Sequence, residues 1–298
     1  MTLYINSGTA DSSVAGDSVA FADMDGDGRD DYVVIGENGE LTCYLNGGST
    51  SSANMDWLWL PQNNGNPIAS GAGTRSQIHL ADINGDSKAD YLIVDTKTGA
   101  VTCYINGGAD SAANGGWLWL PQGQIASGIG EGAGVRFQDI DGDGRSDYLW
   151  LSETGALTVY INKVGQIPVN WIPLNDGKPV ASGVGARREE VLLADWNGDG
   201  RADYLWVHAI DGSVDVWTNE VGITDANWVS QGRVASGVGV SGANIRFAAL
   251  EDSGRADYIA VTPASGAIAA WMNGCQNPAQ SAGGSLVSNP PGTTPSNG

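Results

Sequence analysis

Residues 21–35 read FADMDGDGRDDYVVI, and the phrase returns as LADINGDSKADYLIV at 80–94, FQDIDGDGRSDYLWL at 137–151 and LADWNGDGRADYLWV at 193–207. A fifth, degraded copy, FAALEDSGRADYIAV, occupies 247–261. The first position of the acidic motif falls at 23, 82, 139, 195 and 249, so successive copies stand 59, 57, 56 and 54 residues apart. A second phrase trails each copy: LTCYLNGG from Leu41, VTCYINGG from Val101, LTVYINKV from Leu157, VDVWTNEV from Val214 and IAAWMNGC from Ile268. A third, led by Trp and ending in ASG, follows the first four of these, starting at Trp57, Trp117, Trp171 and Trp228. Self-similarity at a nearly fixed period marks a repeat architecture.

Within a unit the apolar residues alternate. Val19 and Phe21 interleave with Ala20 and Ala22, and Val135 and Phe137 with Arg136 and Gln138. After the acidic stretch comes a short apolar run such as residues 148–151, then a Gly-containing turn into the YIN phrase, then the Trp-rich segment. That is four short strands per unit. Repetition of such units around an axis predicts an all-β fold, a β-propeller of five four-stranded blades. A linear stack of hairpins is the competing arrangement. The repeats define one domain over residues 1–277. The remainder, 278–298, is rich in Ser, Gly and Pro and reads as a flexible tail or linker. TLYIN at 2–6 is a sixth copy of the YIN strand with no acidic loop before it, which could pair with the last blade to close a ring.

Composition narrows the function classes. The chain has 298 residues, 34 acidic and 14 basic, for a formal charge of −20. Such a surface repels phosphate, which argues against a nucleic-acid partner. An apolar content of 41% is too high for a disordered acidic chain. No apolar run is long enough to span a bilayer. Cys43 and Cys103 hold the same place in two repeats and read as small buried residues; with Cys275 they make an odd set that is no disulfide framework, although it leaves room for one bridge. The first residues, MTLYINSG, do not form a signal peptide.

Each intact acidic stretch reads D-x-[DN]-G-D-x-x-x-D. Alternate residues of a tight loop point inward together, so positions 1, 3 and 5 converge. Gly26, Gly85, Gly142 and Gly198 at position 4 allow the sharp turn. Position 7 supplies a backbone carbonyl and the Asp at position 9 closes the site. The donors are all hard oxygens, which selects Ca²⁺. The four candidate sites are Asp23, Asp25, Asp27 and Asp31; Asp82, Asn84, Asp86 and Asp90; Asp139, Asp141, Asp143 and Asp147; and Asp195, Asn197, Asp199 and Asp203. Their carbonyl donors are Arg29, Lys88, Arg145 and Arg201. The fifth copy offers Ala249, Glu251, Ser253 and Asp257, and is expected not to hold metal tightly. Four bound Ca²⁺ would bring the formal charge from −20 to −12, so much of the acid excess belongs to these loops.

The motifs resemble the FG-GAP (VCBS) repeat family, whose calcium loops occur in integrin α-subunit propellers and in fungal propeller lectins of the Psathyrella velutina type. The resemblance covers residues 1 to about 277. It implies calcium between the first two strands of each blade, at the four intact loops. It also raises an alternative architecture, because propellers of that family usually have seven blades: the chain could be a fragment of one. Segments such as ASGVG stand where the family's Phe-Gly pair would be, a departure from its pattern.

No catalytic constellation stands out. There is no H-E-x-x-H or G-x-S-x-G, and Gly16-Asp17-Ser18, the start of an esterase GDS motif, falls at an ordinary strand-entry position. His79 and His208 lie in strands of different repeats and read as structural. The Trp set is the better lead. Trp57, Trp59, Trp117, Trp119, Trp171 and Trp228 recur in one segment, and indole faces stack on sugars, although each can equally fill space between blades. The expected function is therefore a calcium-stabilised, secreted carbohydrate-binding or adhesion module with glycan partners, monomeric or part of a larger chain. The alternatives are an accessory domain of a secreted carbohydrate-active enzyme or esterase, or a polysaccharide lyase.

Overall fold

A computed structural model of the chain describes residues 14–49, 57–163, 169–220 and 227–274. Blade one is β1 (Val19–Ala22), β2 (Asp31–Ile35), β3 (Leu41–Ser49) and β4 (Trp57–Pro61). Blade two is β5 (Ile78–Ala81), β6 (Asp90–Val94), β7 (Val101–Ala109) and β8 (Trp117–Ala126). Blade three is β9 (Val135–Gln138), β10 (Asp147–Leu151), β11 (Leu157–Asn162) and β12 (Trp171–Pro173). Blade four is β13 (Val191–Ala194), β14 (Asp203–Val207), β15 (Val214–Asn219) and β16 (Trp228–Ala235). Blade five shows β17 (Ile245–Ala248), β18 (Asp257–Val261) and β19 (Ile268–Trp271) among the described residues. In every blade the strands pair antiparallel in sequence order. TLYIN, Cys275 and the tail from 278 lie outside the described residues. No helix among those described is long and apolar enough to cross a membrane.

Period two puts alternate residues of each strand against opposite neighbours. Ala20, Ala22, Val33 and Ile35 of blade one pack with Ile78, Leu80 and Tyr91 of blade two, whereas Val19, Phe21 and Tyr32 pack with Leu250, Ile259 and Ile268 of blade five. The core is thus five interblade clusters rather than one centre. Cys43 and Cys103 are buried free thiols whose pKa burial pushes up.

Three hydrogen bonds recur at every seam. The backbone N–H at position 8 of one acidic loop donates to the carbonyl at position 1 of the preceding blade: Ala89 to Asp23, Ser146 to Asp82, Ala202 to Asp139 and Ala256 to Asp195, each at 2.7 Å. The Tyr after position 9 donates its hydroxyl to a turn glycine of the preceding blade: Tyr91 to Gly39, Tyr148 to Gly99, Tyr204 to Gly155 and Tyr258 to Gly212. The Asn of the YIN phrase donates from Nδ2 to a loop carbonyl: Asn106 to Met24, Asn162 to Ile83, Asn219 to Ile140 and Asn273 to Trp196. The same three bonds join blade one to blade five, as Asp30 N–H to Ala249 O (2.7 Å), Tyr32 Oη to Gly266 O (3.0 Å) and Asn46 Nδ2 to Leu250 O (3.1 Å). The ring therefore closes at five blades, and the seven-bladed alternative and the linear stack are both set aside. Gly39 shows why the turn residue is glycine: it sits at φ +82°, and a Cβ there would meet Tyr91 Oη at 2.7 Å.

Candidate functional site

The acidic loops connect the innermost strand of each blade to the next, all at one end of the ring. Position 1 folds the loop onto itself. Asp23 accepts from Gly26 N (2.6 Å) and Gly28 N (2.8 Å), and Asp82, Asp139 and Asp195 repeat both bonds within 2.6–2.8 Å. Position 5 accepts the N–H of position 7: Asp27 from Arg29, Asp86 from Lys88, Asp143 from Arg145, Asp199 from Arg201. At position 3, Asp25, Asn84 and Asn197 accept the N–H of position 5. These bonds turn the side-chain oxygens inward. Asp23, Asp25 and Asp27 each present an oxygen within 4.8 Å of the others, as do Asp139, Asp141 and Asp147. The position 4 glycines adopt φ of +83°, +80°, +78° and +81°.

Asp141 departs from the pattern. Its side chain is 1% exposed, Oδ2 accepts from Lys163 Nζ at 2.8 Å, and Oδ1 is buried without a hydrogen-bond partner. An orphaned carboxylate oxygen facing two further carboxylates is costly unless a cation joins them. The donor set of the third loop fits a hard divalent ion.

Position 9 makes a structural clamp that the spacing did not reveal. Asp31 accepts Asn46 N at Oδ1 (2.7 Å) and Met24 N at Oδ2 (2.8 Å), clamping the loop to β3. Asp90, Asp147, Asp203 and Asp257 make the same pair of bonds, all at 0–1% exposure. Asp257 keeps the clamp in the blade whose loop has Ala249 and Ser253 where the others have Asp. Each oxygen has a further lone pair beyond the N–H it accepts. Burial pushes these carboxyls up, to about 8 for Asp31 and Asp147, about 7 for Asp90 and about 6 for Asp203 and Asp257; the backbone N–H bonds pull the other way. Burial also raises Asp23, Asp82, Asp139 and Asp195, against the pull of their glycine N–H bonds and, in the second loop, that of Ser87.

The position 7 side chains lie across their own loops. Arg29 pairs with Asp27, Arg145 with Asp143, Arg201 with Asp199 at 2.7 Å and Lys88 with Asp86 at 3.9 Å. Arg29 also reaches Asp252 of the fifth loop, at 3.3 Å.

The Trp set divides in two. Trp57 and Trp117 are buried and donate to Asn46 and Asn106, so they offer no indole face to a ligand. Trp59, Trp119, Trp171 and Trp228 hold the next alternate position and are partly exposed. They pack edge-on to Tyr32, Tyr91, Tyr148 and Tyr204, with centroids 5.8–6.2 Å apart. Three of them also tie seams, donating to Ile68, Ile125 and Val180 carbonyls. The next residue along each strand, on the opposite face, is an exposed aliphatic: Leu60 (42%), Leu120 (42%), Ile172 (40%) and Val229 (37%). The sequence signal for these was present in the Trp–aliphatic alternation, read only from its Trp half.

The remaining candidates are structural. Ser18 is buried with its hydroxyl on Ala15 O at 2.6 Å. His208 bonds Asp215 at 2.6 Å and stacks on Trp206 at 4.3 Å, with Arg233 on the same carboxylate.

No curated protein sequence matches the chain. Among solved structures it is similar to an Agrocybe aegerita lectin that recognises non-reducing terminal N-acetylglucosamine, at 19% identity and a TM-score of 0.44, over 82% of this chain and 60% of that one. It is also similar to the Photorhabdus luminescens Tc holotoxin pore, at 20% identity and a TM-score of 0.44, over 85% of this chain and 11% of that one. The chain thus spans less than two thirds of either relative's length. A family model for FG-GAP-like repeats matches residues 23–93, 82–150 and 139–206, which together run over more than half of the chain. With its acidic loops between the first and second strands of successive blades, the chain belongs to the FG-GAP-like repeat family.

Proposed function

We propose that this protein is a calcium-stabilised, extracellular binding module that contacts carbohydrate at equivalent patches on its blade rims. The observation that carries the reading is fourfold repetition: the outermost strand of blades one to four carries a partly exposed Trp on one face and, next in sequence on the other face, an exposed aliphatic residue, Leu60, Leu120, Ile172 or Val229. An indole or an exposed aliphatic side chain each suits the C–H face of a sugar, and four copies on one ring favour a multivalent ligand through avidity. Support for calcium comes from the third loop, where Asp141 Oδ1 is buried and unpartnered within a carboxylate cluster, and from the similar cluster of Asp23, Asp25 and Asp27 in the first. Loops of mixed carboxylate and amide donors suit the calcium concentrations found outside cells.

A glycan array probed in millimolar calcium tests the proposal. Retention on a subset of glycans is expected, weakened on multivalent surfaces by Leu120→Asp. Failure to bind any glycan in calcium would overturn the carbohydrate reading.

A further inference from the structure

Four loops share one donor pattern, but the residue after the Asn of the YIN phrase differs from blade to blade. It is Gly47, Gly107, Lys163, Glu220 and Gly274 in chain order. In blades one and two glycine leaves room for the second residue of the outermost strand. A Cβ at Gly47 would meet Leu58 Cδ2 at 2.9 Å, and one at Gly107 would meet Leu118 Cδ2 at 2.8 Å. Blade three lacks that leucine. Asn46 pairs with Trp59 and Asn162 with Trp171, so Asn170 stands where blade one has Leu58. A long side chain fits at 163, and Lys163 reaches from the end of β11 into the third acidic loop.

There its ammonium donates to Asp141 Oδ2 at 2.8 Å. The other position 3 side chains, Asp25, Asn84 and Asn197, accept the N–H of position 5. In the third loop Asp143 N donates to Asp139 Oδ1 at 3.3 Å, and Asp141 takes the ammonium. Asp141 is left 1% exposed, with Oδ1 unpartnered beside Asp139 and Asp147. Arg145 at position 7 fixes the approach, donating from Nε to Asn162 O at 3.1 Å and from Nη2 to Lys163 O at 3.4 Å. The first and third loops carry four carboxylates each, the second and fourth three. Lys163 offsets one of the third loop's four. No other position 3 side chain pairs with a cation among the described residues. An ammonium on a ligand carboxylate weakens the pull of the cluster on a second cation, and calcium affinity follows ligand charge.

We propose that Lys163 is a built-in competitor of calcium at the third loop. It caps Asp141 in the ion-free protein and holds the affinity of that site below what its four carboxylates alone would give. This role rests on the calcium reading of the loops and not on the carbohydrate one.

Calorimetric titration of calcium into the chelator-stripped full chain tests it. Lys163→Met should tighten one ion by about tenfold, the effect of one charge several ångströms away in hydrated surroundings. Lys163→Gly, which restores the residue of blades one and two, should do the same. Lys163→Arg keeps the charge and should titrate as wild type. Exposed Lys178→Met makes the same change in net charge and should also titrate as wild type. Adding Asp139→Asn to Lys163→Met should abolish the gain, which assigns it to the third loop. In chelator Lys163→Met should melt below wild type, because Asp141 loses its ammonium, and calcium should shrink that difference. Isotherms of Lys163→Met and wild type that superimpose with ions bound, or an equal loss of melting temperature in calcium and in chelator, would overturn the proposal alone. Absence of calcium binding by every one of these proteins would overturn the calcium reading and this role with it.

Discussion

Asp257 isolates the clamp made by the ninth loop position. In blade five the carboxylate still holds Asn273 N and Leu250 N, yet Ala249 and Ser253 stand where other loops have Asp. Asp257→Ala strands two buried N–H groups and should cost about 3 kcal/mol in urea unfolding, equally with calcium and with chelator. Asp147→Ala should cost at least as much with chelator and, on the calcium proposal, more with calcium, because it would also remove a ligand. A calcium-independent loss at Asp147 would assign that residue to the clamp alone. The spacing of Asp and Gly made the loops legible, because converging oxygens at alternate positions depend only on local chain geometry. The clamp was not legible, since its partners Asn46 and Asn273 lie 15 and 16 residues downstream, on a strand whose register the sequence does not state.

At the level of the strand and the loop, the Tyr that follows position 9 and the Asn of the YIN phrase make seam bonds, and the sequence offered no hint of it beyond their recurrence. Tyr148→Phe removes the hydroxyl that Gly99 O accepts at 3.0 Å and leaves that buried carbonyl unpaired, so it should cost about 1–2 kcal/mol. The same change at exposed-face Tyr would cost little, and a loss under about 0.5 kcal/mol at Tyr148 would remove the seam role. The loops also set a pH signature. Without metal, Asp31, Asp90 and Asp147 have folded-state values of about 7–8, against an ordinary 3.8. A carboxyl raised on folding stabilises the fold when protonated, and that contribution is lost as pH climbs through the folded value. Metal-free protein should therefore melt higher at pH 5.5 than at pH 8. Calcium should invert the trend, since it needs the ionised form. Thermal melts at the two pH values check both signs.

For the whole molecule, blade number follows from closure rather than from counting. The repeats made five units visible, and period two made them strands, because both are short-range patterns. That the fifth meets the first depends on contacts such as Asp30 with Ala249 and Asn46 with Leu250, more than 200 residues apart, which no local pattern encodes. Asp30 is particular to this seam: its side chain accepts Ala249 N at 2.7 Å, and it stands where other blades have Ala or Ser. The Trp residues were half legible. Alternation placed Trp57 and Trp59 on one face, but only the packed seams show which member is buried. The charge of −20 is concentrated in a ring of loops at one end of the axis, and the account rests on calcium holding that ring together. The most direct test is thermal unfolding of the full chain in millimolar calcium and in excess chelator, with bound metal counted by calorimetry. Calcium at about a hundred times its dissociation constant should add roughly 2.7 kcal/mol per site. The account predicts a large rise in melting temperature with about four ions bound, one for each intact loop. An identical melting temperature in calcium and chelator, with no ion retained, would contradict it.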